Sequence, residues 1–214
     1  KQSYLRRGLA LTPVKFGISF TATHLNQAGA LIHIYSDGSV HLNHGGTEMG
    51  QGLLTKVQQI VASAFGVSTA LVQVSATATD KVPNTSPTAA SSGTDLNALA
   101  ALDAANQIKA RLLAFLAPSD SVAPVEFSDG QVRHGDVTWD WADLIQAAYL
   151  NRISLSAAGF YKTPDIHFDR ETGKGQPFYY YAFGVACSEV VVDTTTGEYR
   201  LSQVDILHDV GRSL

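Results

Sequence analysis

Cysteine is almost absent from this 214-residue sequence, and methionine and tryptophan are scarce: Cys187, Met49 and two tryptophans. A lone thiol excludes an internal disulfide and any all-cysteine cage for zinc or an iron–sulfur cluster. Scarce cysteine favours a cytoplasmic location. Charge is also sparse, at 16% of residues with a net charge of −4, and no dense Lys/Arg run occurs beyond Arg6-Arg7. Such a chain has no basic field for nucleic acid. No apolar run approaches the roughly 18 residues that a membrane span needs, and no signal-peptide pattern is present. No Gly-x-Ser-x-Gly elbow supports a serine hydrolase, and no Gly-Lys-Ser/Thr phosphate loop occurs. What remains is an ordered globular composition, 45% hydrophobic.

Against those absences stands a concentration of glycine. Residues 44–52 read His-Gly-Gly-Thr-Glu-Met-Gly-Gln-Gly, too glycine-rich for a helix or strand interior. A strand pattern precedes the stretch and a helix pattern follows it, so it is a shaped loop and not a linker. It either brings backbone amides close to a ligand at a helix start or is a tight strand-to-helix turn without one.

The pattern along the chain predicts an α+β fold of mixed sheets with packed helices, in one compact unit spanning residues 1–214. An extended segment is expected over the first 20 residues. Residues 28–35 and 40–43 form a hairpin whose Asp37-Gly38 centre suits a type I′ turn, with positive φ at both positions. Leu53, Leu54, Val57, Ile60, Val61, Ala64 and Phe65 share a helical stripe that Gly66 ends. A short strand is expected at 71–75. A second unusual loop, residues 83–94, is rich in small and hydroxyl side chains and leads into a helix over 95–116. That helix carries Leu96, Leu99, Ala100, Leu102, Ala105, Ile108, Leu112 and Phe115 on one face, with Ser91, Ser92 or Thr94 as a cap. A surface connection at 118–124, a hairpin around Asp129-Gly130, a helix over 139–150 capped by Thr138, and strands at 153–161, 179–193 and 198–209 complete the reading.

Taken singly, the chemical candidates do not identify a function. His33, His41 and His44 lack a third ligand at metal-site spacing, so a histidine metal centre is rejected. Cys187 lies in an apolar strand and reads as a buried inert thiol. Alternation puts Glu189 on the same strand face, as an edge or rim carboxylate. Phe20-Thr21 would suit a flat heterocycle, by stacking plus one hydrogen bond, or would be ordinary packing.

Taken in order, several blocks resemble one family: 15–21 (Lys-Phe-Gly-Ile-Ser-Phe-Thr), 25–31, Asp37-Gly38-Ser39, 44–52, 82–91 (Val-Pro-Asn-Thr-Ser-Pro-Thr-Ala-Ala-Ser) and 181–189. They closely resemble the molybdenum-cofactor-binding region of the xanthine dehydrogenase/oxidase type of molybdenum hydroxylase. The resemblance covers essentially the whole chain, most loosely at residues 118–139. It implies that Gly50-Gln51-Gly52 contacts the pterin of a molybdenum–molybdopterin cofactor. It implies that Ala89-Ala90-Ser91 lies under the molybdenum, with Ala90 packing near the metal and not ligating it. Ser91 and Thr94 would bond the cofactor, and Phe20 and Thr21 would face a purine. In such enzymes a glutamate deprotonates a molybdenum-bound hydroxide that attacks the carbon beside a ring nitrogen. Electrons then pass through 2Fe-2S clusters to FAD.

Departures from that pattern matter as much. The Gly-Glu-Pro-Pro context of the catalytic glutamate is absent, as are the Gly-Gly-x-Phe-Gly loop, the second aromatic clamp and the purine-orienting arginine. The chain starts at Lys1 without methionine and stops just after a strand-like run. It therefore reads as an internal fragment with no catalytic residue of its own. Its expected partners are the remainder of the molybdenum-binding subunit, iron–sulfur/FAD domains or subunits, and a purine. An aldehyde oxidase-like hydroxylase and a cofactor-free structural or interaction domain are the alternatives.

Overall fold

The computed structural model describes residues 4–81, 85–117 and 124–212. Val82 and the first two residues of the second loop, Pro83 and Asn84, fall outside it, as does the expected surface connection apart from Pro124. In chain order the elements are β1 (Leu5–Ile18), β2 (Gln27–Ile34), β3 (Val40–His44), α1 (Leu53–Phe65), β4 (Val72–Val74), α2 (Gly93–Leu116), β5 (Val125–Ser128), β6 (Gln131–His134), β7 (Val137–Asp140), α3 (Trp141–Leu150), β8 (Ser156–Lys162), β9 (His167–Asp169), β10 (Lys174–Gln176), β11 (Tyr180–Asp193) and β12 (Tyr199–His208). Strands and helices are interspersed without strict β-α-β alternation, in keeping with the α+β expectation.

The chain forms two compact units, residues 1–18 with 178–214, and residues 19–177. One unit was expected because no linker composition marks a boundary. The divisions fall at the ends of long strands, at Ile18/Ser19 and Pro177/Phe178, where sequence gives no signal.

The larger unit is organised around a four-stranded sheet of order β4-β3-β2-β8, antiparallel except for the β3–β4 pair. Its core joins Ile32 and Ile34 of β2 and Val40 and Leu42 of β3 to Val57, Val61 and Phe65 of α1 and to Ile108 and Leu112 of α2. Each such side chain, fully buried, contributes roughly 1.5–3 kcal/mol. The buried stripe of α2 is largely alanine: Ala98, Ala100, Ala101, Ala104 and Ala105. Leu99, expected inside, is exposed. At 3.6 residues per turn Leu99 lies roughly 200° around the helix from Ala101, on the side opposite the buried stripe. The small residues of that stripe suit a close approach, because a Cβ on Gly159 of β8 would strike the Ala100 carbonyl.

Gly66 ends α1 as expected, in a left-handed conformation with φ 64°. Its amide reaches the Ser63 carbonyl and the Val67 amide that of Ala62, the two bonds of a Schellman motif. The β5–β6 hairpin turns at Asp129 and Gly130, both with positive φ, as a two-residue turn of the primed type does. The β2–β3 connection differs from the type I′ expectation, because only Gly38 has positive φ. Asp37 instead accepts hydrogen bonds from the amide (2.9 Å) and hydroxyl (2.7 Å) of Ser39, which fixes a longer loop. The helix expected from Trp139 starts at Trp141, and Thr138 lies in β7 rather than capping it. The short β9–β10 pair was not foreseen; three-residue strands carry too little periodicity to read.

The smaller unit is a three-stranded antiparallel sheet, β1-β11-β12, with the initial extended segment as its first strand. Leu9 and Leu11 on β1 and Ile206 and Leu207 on β12 are each at least 70% exposed. Glu189 lies on the central strand, not an edge, and pairs with Arg7 at 2.7 Å. The strand register shifts between Glu189 and Val190, and Cys187 is half-buried rather than buried.

Candidate functional site

The path to the site begins with β3, whose last residue, His44, is buried. Its Nδ1 accepts the Gly46 amide at 3.1 Å, which puts the neutral ring's proton on Nε2. Burial pushes its pKa below the ordinary 6.5. Gly46 then passes so close to Leu53 and Asn97 that a Cβ would lie 2.6 Å from the Leu53 side chain and 2.8 Å from the Asn97 amide nitrogen. Glycine there is a packing requirement.

Beyond Gly46 the loop is held by its own side chains. Oε1 of Glu48 accepts the amides of Gly50 and Gly52, each at 2.9 Å, and Oε2 accepts that of Leu54 at 3.0 Å. These bonds, led by the one from Leu54, hold the carboxyl below its ordinary pKa of 4.5. Gln51 closes a second ring: its carbonyl oxygen accepts the Met49 amide at 2.6 Å and its NH2 donates to the Thr47 carbonyl at 3.0 Å. One N–H and one lone pair of the Gln51 amide remain for a ligand. Gly50 and Gly52, with φ 97° and 75°, supply the left-handed backbone this double ring needs.

The second loop meets the first where Thr47 donates its amide to the Thr88 hydroxyl at 2.8 Å. Next come two successive non-glycine residues in the left-handed region, Ala90 (φ 55°) and Ser91 (φ 56°). Each such residue costs about 1–2 kcal/mol. The turn closes with the Ser92 amide and hydroxyl both donating to the Ala89 carbonyl, at 3.3 and 3.1 Å. Ser92 occupies the N-cap position of α2 but its side chain does not cap the helix, and Thr94 lies inside the first turn.

The two loops enclose a cavity of about 580 Å³ lined by Gln51, Ala89, Ala90, Ser91 and Thr94, together with Met49, Leu53, Lys56, Thr88 and Gly93. Five sequence-predicted positions thus converge. Lys56 and Thr88 were not foreseen as lining residues; Lys56 sits one turn into α1, a placement visible only once the helix start is fixed. Gly50 and Gly52 shape the loop without lining the cavity. Phe20 and Thr21 lie elsewhere: both are absent from the lining, Phe20 is half-buried and Thr21 exposed. Asn26 holds the Phe20 backbone in a two-point clasp, accepting its amide at 2.8 Å and donating to its carbonyl at 2.9 Å. Among the described residues no group of three His, Cys, Asp or Glu side chains could hold a metal. No described helix is long and apolar enough to cross a membrane.

The sequence profile of the molybdopterin cofactor-binding domain matches residues 1–214. The chain belongs to this family. Relatives of this domain include xanthine dehydrogenase/oxidase of Felis catus, 49% identical over 209 residues, and xanthine dehydrogenase of Oryza sativa subsp. japonica, also 49% identical over 209. Each alignment covers 98% of this domain but 14% of the relative. Among solved structures, quinoline 2-oxidoreductase from Pseudomonas putida 86 superposes with a TM-score of 0.80 at 21% identity, over 97% of this domain and 27% of that chain. An aldehyde oxidoreductase from Desulfovibrio desulfuricans gives 0.73 at 18%, over 98% and 21%. The molybdopterin-domain fold is therefore shared well beyond close sequence similarity.

Proposed function

We propose that this domain is one portion of a xanthine dehydrogenase molybdenum-binding subunit and supplies part of the pterin and metal cradle. The observation that carries the reading is the convergence of Gln51, Ala89, Ala90, Ser91 and Thr94 on one cavity. Their chemistry fits the group: an amide with a free donor and acceptor, two hydroxyls, and methyl-sized side chains that leave room for a bulky centre. Gln51 faces the pterin with its remaining N–H and lone pair. Ala90 packs near the molybdenum without ligating it, and Ser91 and Thr94 offer hydroxyl and backbone groups. The bound cofactor supplies hydroxylation and electron-transfer chemistry; these residues bind and orient it. Phe20 and Thr21 form one wall of the purine pocket, presented by the Asn26 clasp.

The catalytic glutamate, the 2Fe-2S and FAD centres and the rest of the purine pocket belong to the remaining parts of a longer cytoplasmic protein. The exposed apolar residues of β1 and β12 mark surface that the remainder of the subunit covers. Domain 1–214 alone is predicted to be inactive and to hold molybdopterin poorly. Molybdenum and pterin content should be measured for the purified domain, alone and co-produced with the remainder of its subunit, in a host that makes the cofactor. Cofactor only in the pair supports a shared cradle. Cofactor in neither, with the pair correctly folded, supports an empty structural domain instead.

A further inference from the structure

The first-turn amides of a helix need acceptors, and Gly52 at the start of α1 has no side chain to offer one. Glu48 provides it from four residues upstream, but reaches further than a cap requires. Its two oxygens take three amides, and two of these, Gly50 and Gly52, flank Gln51 on either side. The Gln51 backbone is therefore pinned at both ends to one carboxylate. The Gln51 side chain then folds back onto Met49 and Thr47, which sets the direction of its free N–H and lone pair.

We propose that Glu48 is the positioning residue that sets the Gln51 amide for the cofactor, an assignment that rests on Gln51 being the cofactor-facing amide. Charge and two equivalent oxygens are both needed. A glutamine at 48 would match the volume but present one oxygen and an NH2, which would meet a backbone N–H donor to donor. An aspartate would be one methylene too short to span three amides.

A residue that merely caps α1 would behave differently. The test uses Glu48→Gln, Gln51→Ala and the double variant in the full-length enzyme, with Gln59→Gly as a control that weakens α1 at an exposed position away from the site. Glu48→Gln should lower molybdenum and pterin content on the order of tenfold, and speed hydrogen exchange of residues 50–54 by a similar factor. The double variant should lose no more cofactor than Gln51→Ala alone. In the protein that retains metal, the molybdenum paramagnetic resonance signal should change in Glu48→Gln as in Gln51→Ala, and stay unchanged in Gln59→Gly. If Gln51→Ala loses cofactor while Glu48→Gln retains it in full, Glu48 is only a helix cap and the proposal is overturned. If Gln51→Ala itself retains full cofactor, the assignment of Gln51 fails, and this proposal with it.

Discussion

The amide of Thr47 donates to the hydroxyl of Thr88 across 2.8 Å, joining two loops 41 residues apart in sequence. Each loop is held internally by short-range bonds, but this one helps fix the width of the cavity between them. Replacing Thr88 by valine keeps the shape and removes the acceptor. Because the bond is solvent-accessible, the loss in stability should be small, about 0.5–1 kcal/mol. Cofactor content of the full-length protein should fall severalfold, more than that stability change would suggest. Thermal unfolding and metal analysis on the same samples would check the two effects against each other.

Ala90 offers a test in which the sign is the point. Its left-handed backbone costs about 1–2 kcal/mol that glycine would not incur. Glycine loses more chain entropy on folding, about 0.4–1 kcal/mol. Relief of strain should win, so Ala90→Gly is expected to raise stability by roughly 0.5 kcal/mol. A urea titration of both proteins would show it. Ala90→Phe should instead fill the cavity and abolish cofactor retention.

Gly159→Ala should do harm of another kind. The added methyl would meet the Ala100 carbonyl and lie 3.0 Å from the Ala104 side chain, so α2 would have to move off the sheet. Overpacking of this sort costs about 1–3 kcal/mol. Chemical denaturation should show a lower midpoint, and soluble yield should drop if the loss is at the upper end.

Acid should weaken the fold through His44. The folded state keeps the ring neutral, with its pKa below the ordinary 6.5, so below that pH the unfolded chain binds the extra proton. Stability is then full above about pH 6.5 and falls as pH drops below it. His44→Asn retains an acceptor for the Gly46 amide but cannot titrate. Between about pH 7.5 and about pH 5.5, the denaturation midpoint of the wild type should fall further than that of the variant. Equal slopes would show that His44 does not carry the effect.

Much of the local structure was legible because it depends on neighbours in sequence. The α1 stripe and the Gly66 stop follow from helical spacing and from glycine's tolerance of positive φ. The Asp129-Gly130 turn follows in the same way, whereas Asp37-Gly38 did not, because the Asp37 side chain captured Ser39. Leu99 differs for another reason: a helix rich in apolar residues allows more than one stripe, and packing selects the alanine stripe centred on Ala101, Ala104 and Ile108, which leaves Leu99 on the opposite side.

By itself the amino-acid sequence determined the family, the α+β character and five of the residues that line the cavity, Gln51, Ala89, Ala90, Ser91 and Thr94, since those depend on residue identity and short-range spacing. Only the tertiary structure decided how the cavity is made. Thr88 is brought against Thr47 by the packing of α2 on β2 and β8, and Glu48 reaches three amides only because positive φ at Gly50 and Gly52 curls the chain around it. Distance between residues far apart in the chain is set by packing, and packing is what the order of residues does not display.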